Sequence, residues 1–169
     1  DQLARAATLI CALEAIRRKQ PHVLGDHRFS IGLWVGKSAT ANRLKEVHQS
    51  LLDYSPGRQD SPFPLPSCPW CGATIKVENI KLVDRLGQPS KTKYERAVVY
   101  CPDFKCGFSE RSARGEGLPV LFVDEQIYQE LPDFLVATVD KFAMLPWRAE
   151  AGMLFGRITH LDKDRAYGV

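Results

Sequence analysis

Cys68-Pro69-Trp70-Cys71-Gly72 and Cys101-Pro102-Asp103-Phe104-Lys105-Cys106-Gly107 are two short cysteine turns separated by 29 residues. Cysteines at this spacing can place two thiolates on one ion, because the turn amides point toward the sulfurs. Gly72 and Gly107 follow the pairs and ease each turn. Two such knuckles at the ends of a hairpin predict a tetrahedral four-sulfur ribbon site made by Cys68, Cys71, Cys101 and Cys106. Thiolates select Zn2+ over magnesium or calcium, and a closed site is structural rather than catalytic. A thioredoxin-like pair leaves two cysteines unexplained, two disulfides need an oxidising compartment, and an iron–sulfur cluster is the remaining rival. Cys11 reads as a buried inert thiol, and His22, His27, His48 and His160 as surface or loop residues.

Outward from the knuckles, residues 61–117 read as an inserted β-rich module. Its entry over 55–67 holds four prolines and one glycine in thirteen residues, which excludes a regular element. Strands are predicted over Thr74–Val77, Ile80–Val83 and Glu95–Tyr100, with a hairpin loop over Leu86–Lys93. Trp70, Phe104 and Phe108, with Lys105 and Arg111 nearby, form either a stacking-and-charge surface or the ribbon's own small core. A module this small needs the metal for its folding energy, so stripping zinc is expected to unfold it.

The flanks read as α/β. Residues 2–19 predict a helix with Leu3, Ala6, Ile10 and Leu13 as its apolar stripe, widened by Ala7, Leu9 and Ile16; Glu14, Arg17 and Arg18 fall on the polar face and Pro21 ends it. Phe29–Val35 predicts a strand and 39–53 a helix. Pro119–Val123 and Phe134–Ala137 predict further strands, each followed by a helix, over Asp124–Leu131 and Asp140–Leu145. Strands alternating with helices imply a parallel sheet. The domains expected are 1–60 and 118–169 as two parts of one α/β lobe, with 61–117 between them.

The chain has 169 residues and a net charge of +3, with nine Lys/Arg against six Asp/Glu in each of 1–60 and 61–118 and five against eight in 119–169. That bias is compatible with a phosphate-bearing partner. There is no signal-peptide pattern and no run of eighteen apolar residues, so a cytoplasmic protein away from the membrane is expected, and the chain reads as a piece of a longer one. Two short motifs are look-alikes. Gly36-Lys37-Ser38 resembles the end of a P-loop, but Ile31 stands where the first glycine is needed. Val123-Asp124-Glu125 resembles a magnesium-holding box, but acids there also suit a helix start. A redox or hydrolytic enzyme lacks a nucleophile–base set.

Three stretches together resemble the helicase subunit of the DISARM anti-phage system, a superfamily 2 helicase: Phe29 through Gly36 with Thr40-Ala41-Asn42; the cysteine insert Cys68–Gly72 with Cys101–Phe108; and Leu118 through Glu125 with Ala137–Ala143. Ala41 departs from the family-like text, which has proline there. The resemblance implies an internal fragment of the first RecA-like lobe of an ATP-dependent DNA helicase or translocase, with a partial parallel sheet interrupted by the zinc ribbon. ATP and Mg2+ would then belong to the parent protein, and this chain alone would not hydrolyse ATP. The turns Gly36–Arg43 and Thr138–Lys141 would follow single-stranded DNA, with Gly36, Lys37, Thr40, Arg43, Thr138 and Lys141 as the contacts. Free amides at helix starts, hydroxyls and cations make chemical sense of that role. Another subunit of the defence complex would be a partner. The alternative is a stand-alone zinc-ribbon module that binds nucleic acid or protein without a motor.

Overall fold

Helix α1, Gln2–Lys19, opens the chain, and its last turn carries Arg17, Arg18 and Lys19 against the negative end of the helix dipole. The computed structural model describes residues 2–36, 40–55, 60–113 and 115–157, and the backbone of 160–162 and 165–167. Pro21 ends α1 by starting a separate turn of helix, α2, Pro21–Leu24. The buried face of α1 differs from the expected stripe: it is Leu3, Ala7, Ile10, Cys11, Glu14 and Arg17, while Leu9, Leu13 and Ile16 are exposed. Glu14 and Arg17 neutralise each other inside, so the core-facing side includes two charges that an apolar count assigns to solvent.

Strand β1, Ile31–Trp34, is buried along its whole length. It is the middle of a parallel sheet, which is why its apolar run does not alternate. Helix α3, Leu44–Asp53, follows it. Its start is later than the expected position 39, which lies outside the described residues. Then come the hairpin strands β2, Ile80–Val83, and β3, Arg96–Val99. The chain returns to the sheet with β4, Val120–Leu121, shorter than expected, crosses through α4, Asp124–Glu130, and runs out along β5, Phe134–Ala137. The strand order is β4-β1-β5, with Ile31 beside Val120 and Phe134. Helix α5, Val139–Ala143, is followed by a 3-10 turn, Leu145–Trp147, that absorbs Pro146. An antiparallel pair, β6, His160–Asp162, and β7, Arg165–Tyr167, closes the described chain. The fold is thus mixed α/β around a three-stranded parallel sheet.

The predicted strand over Thr74–Val77 is absent. Thr74 makes a single bridge to Ser67, and Val77–Asn79 is a 3-10 turn leading into β2. The proline-rich entry has no regular element among its described residues, yet Phe63 and Leu65 are buried, and Phe63 packs edge-on against Phe122 at 5.3 Å. One apolar cluster runs from Leu3 and Ile10 through Ile31, Val47 and Phe122 to Cys68, Cys101, Cys106 and Phe108. The ribbon and the sheet therefore share a core.

Gly117 makes the tightest of these joins. Its φ is +60°, and an added Cβ would stand 2.4 Å from the Val99 carbonyl oxygen. Both facts demand glycine where the ribbon returns to the sheet. Gly117→Ala is expected to lose about 1–3 kcal/mol, or more if the β3 carbonyl must move, read as a lower urea midpoint at unchanged slope.

Candidate metal centre and sheet edge

The four ribbon cysteines come together from two knuckles. In the first, the Gly72 amide donates to the Cys68 carbonyl at 2.8 Å, with Gly72 at φ +82°. In the second, the Cys106 amide donates to the Asp103 carbonyl at 2.9 Å and the Cys101 amide to the Phe108 carbonyl at 3.0 Å. The sulfurs of Cys68, Cys71, Cys101 and Cys106 all lie within 4.8 Å of one another, and Cys71 and Cys101 are 3.3 Å apart. A tetrahedral zinc with bonds near 2.3 Å needs sulfur separations of about 3.8 Å. Small shifts of the side chains therefore bring all four onto one cation.

The electrostatics point the same way. Burial pushes the Cys101 thiol far above its ordinary value, and pushes Cys106 up to about 11. At Cys71 burial also raises, but the Ala73 amide and the neighbouring thiols outweigh it and hold the group below its ordinary value. The amides of Ala73, Asp103 and Phe108 each serve the sulfur two residues earlier, as at Phe108 to Cys106 Sγ, 3.5 Å. Four thiolates at this spacing need a soft cation to ionise together, and amides aimed at the sulfurs favour the ionised form. The cluster can hold one metal ion such as zinc. Cys68, Cys101 and Cys106 are buried and Cys71 is at the surface.

Helix α1 grips both knuckles, which the sequence reading did not foresee. Thr8 Oγ1 lies 2.9 Å from the Pro69 carbonyl oxygen, inside the first knuckle. Arg18 Nη1 donates to the Gly107 carbonyl at 2.8 Å, beside Cys106. Arg18 also covers the Phe108 ring at 4.8 Å. Cys11 is buried in the same cluster, and burial, then the Cys68 thiol, push it up to about 12. The usable signal was the placement of Thr8 and Cys11 beside Ala7 and Ile10 on one helical face.

The other candidate residues sit at the carboxyl ends of the parallel strands. Gly36 and Thr40 follow β1, Asp124 follows β4, and Thr138 follows β5. The Asp124 amide donates to the Ala41 carbonyl at 3.2 Å and the Thr138 amide to the Trp34 carbonyl at 3.3 Å, which brings these turns together. Lys37 lies outside the described residues. The Thr40 and Thr138 hydroxyls and Asp124 Oδ1 are buried and have no hydrogen-bond partner among the described residues. Arg43 is exposed.

Several groups expected to be free here are engaged. The Asn42 amide, at 2.8 Å, and the Arg43 amide, at 3.3 Å, donate to Glu46 Oε2, and the Leu44 amide donates to Glu125 Oε2 at 3.0 Å. The start of α3 is thus filled by two carboxylates. Glu125 serves a helix start, as acids at a strand end can, but that of α3 rather than its own. Lys141 is paired with the buried Asp124 and stands 5.8 Å over the Trp34 ring. Burial pushes the Asp124 carboxyl up, against the pull of the Lys141 ammonium. Asp124 is thus held by Lys141, and Glu125 holds the start of α3.

No helix among the described residues is long and apolar enough to cross a membrane. No family model matches the chain. The chain is 33% identical over 176 residues to the DISARM protein DrmA of Bacillus paralicheniformis, an alignment that covers 99% of this chain. It spans 14% of the length of that relative.

Proposed function

We propose that this chain is an internal part of a DISARM anti-phage defence protein, an ATP-dependent DNA helicase or translocase, in which it supplies a structural zinc ribbon and one nucleic-acid-facing sheet edge. Residues 1–60 and 118–169 would belong to one RecA-like lobe, with 61–117 as the ribbon insertion. The likeness to DrmA supports the defence role. The four clustered sulfurs support zinc held by Cys68, Cys71, Cys101 and Cys106, where the ion supplies cross-linking and no open coordination position. ATP and magnesium belong to other parts of the parent protein.

The observation that carries the nucleic-acid reading is the pair of buried hydroxyls, Thr40 and Thr138, at the carboxyl edge of the parallel sheet, neither with a partner among the described residues. Ligands of open α/β sheets bind at that edge. A buried hydroxyl without a partner costs about 1–3 kcal/mol, so a fold keeps it where a ligand completes it. Phosphate oxygens of single-stranded DNA would accept from them once the turns open to the strand, with Gly36, Lys37, Arg43 and Lys141 as the other contacts. Lys141 would have to leave Asp124 to take part.

The test sets stability against binding. Thr40→Val and Thr138→Val are expected to leave thermal stability unchanged or higher, because each removes an unsatisfied group. Each is expected to weaken single-stranded DNA binding about tenfold or more at low salt, the loss of one hydrogen bond to a charged oxygen. Full binding by both variants would sink the sheet-edge reading.

A further inference from the structure

The two knuckles that present their sulfurs inward each leave an aromatic ring outside. Trp70, next to Cys71, is 44% exposed, and Phe104, two residues before Cys106, is 66% exposed. Phe108, two residues after Cys106, is buried and belongs to the shared core, while Trp70 and Phe104 are not buried. Phe108 stands behind Trp70, edge to face, with centroids 6.0 Å apart at 74°. Trp70 is therefore propped from beneath, with the space under it already filled.

Both rings sit on backbone that is fixed before any ligand arrives. Pro69 and Pro102 restrict the knuckles, and the thiolates and turn hydrogen bonds hold the rest. Little ordering entropy remains to be lost on contact. Two cations stand at rings of the knuckles: the Lys105 ammonium is 5.7 Å from the Phe104 centroid, and the Arg18 guanidinium lies over the buried Phe108; Arg111, five residues after Cys106, is exposed. Of the nearby acids, Asp103 turns its Oδ1 onto the Lys105 amide at 2.9 Å, and Glu116 lies 3.6 Å from Arg18; Glu110 is exposed.

We infer that the ribbon tip is a second nucleic-acid contact, in which Trp70 and Phe104 stack on the bases of a single strand while Lys105 and Arg111 meet its phosphates. Exposed rings with interleaved cations match the two faces of a single strand, an apolar base and an anionic link. A duplex hides its base faces in its own stack and offers the rings nothing. The inference uses none of the sheet-edge residues and stands without them.

The test is binding of a labelled oligothymidylate and a labelled oligouridylate by the zinc-loaded chain, with Trp70→Ala, Phe104→Ala and the two threonine variants alongside. Each stacked base contributes about 1–3 kcal/mol by alanine substitution, so each ribbon variant is expected to bind about 5- to 150-fold more weakly. Zinc content should be unchanged in both; melting should be unchanged in Phe104→Ala and somewhat lower in Trp70→Ala, whose ring packs on Phe108. In a Trp147→Phe background, where buried Trp34 and exposed Trp70 remain, the oligonucleotide should quench the Trp70 emission. Unchanged affinity in both ribbon variants at full zinc content would overturn the platform, as would equal affinity for the matching duplex. Loss in the ribbon variants alone supports the platform and counts against the sheet edge; loss in the threonine variants alone does the reverse. Absence of all binding by the parent chain overturns both. Preference between the two oligomers assigns the strand as DNA or RNA.

Discussion

Removing the metal, by chelation or by Cys101→Ser, is expected to abolish most of the chain's stability and to melt helix α1 together with the ribbon. Structural zinc in small domains contributes about 10–16 kcal/mol of apparent binding energy. Whole domains are stable by about 5–15 kcal/mol, so little margin is left without it. The extension to α1 follows from the contacts. Arg18 bonds to the Gly107 carbonyl of the second knuckle, the Thr8 hydroxyl shares its one proton between the Pro69 carbonyl of the first and the Ala4 carbonyl of its own helix, and Cys68, Cys101, Cys106 and Phe108 belong to the same apolar cluster as Leu3, Ile10 and Ile31. When the knuckles open, that cluster loses one wall. The sequence alone predicts a module that unfolds by itself; the shared core predicts one transition. Elemental analysis should find about one zinc per chain, since a four-thiolate site closes on one ion. The far-UV helix signal should fall in step with metal loss. Cys11→Ser is the control, keeping its metal and losing only about 1–3 kcal/mol, because Cys11 packs without ligating. A helix signal that survives complete metal removal would contradict this coupling, and full folding without metal would remove the structural role altogether.

The reason the module looks separable in sequence is instructive. Spacing and turn residues are local signals, and they located the four clustered cysteines, and the strands Ile80–Val83 and Phe134–Ala137 and the helix 2–19 at their observed limits. What joins the parts is not local. Phe63 and Leu65 lie among four prolines, where composition reads linker, yet they fill the gap under Phe122 and the sheet. Thr74–Val77 has strand-like residues, but it meets only the short segment Pro66–Cys68, where the Ile75 amide donates to the Pro66 carbonyl, before Val77–Asn79 turns as 3-10. At the sheet edge the residue types were visible but their engagements were not. Whether a lysine meets solvent or a buried carboxylate depends on what the β4 and β5 ends place opposite it, and Asp124 is seventeen residues from Lys141. Carboxylates likewise occupy amides that a helix start alone would leave open.

Glu14 is the point where a polar residue read as solvent-facing instead holds two elements together, and Glu14→Ala is expected to lose about 3–5 kcal/mol. The carboxylate is fully buried and accepts four hydrogen bonds: from Arg17 Nε and Nη2, each at 2.8 Å, from Arg18 Nε at 2.9 Å, and from the Phe29 amide at 3.2 Å. Removing it leaves the Arg17 guanidinium charged in the interior and frees Arg18, which also ties the second knuckle. A loss of that size should lower Tm by about 6–20 °C in a chain of this length. The pH dependence identifies the charge as the cause. Burial raises the Glu14 pKa, but the bonds from Arg17 and then Arg18 outweigh it, so the folded value lies below the ordinary 4.5. A group lowered on folding stabilises fully above its unfolded pKa and loses that contribution as pH falls through the folded value. The gap in Tm between the parent chain and Glu14→Ala should therefore be widest above pH 4.5 and narrow in acid. Glu14→Gln keeps the shape and should recover only part of the loss, because an amide brings its own donors toward the two guanidinium groups. A gap that stays constant into acid would mean that packing, and not the carboxylate's charge, joins α1 to β1 here.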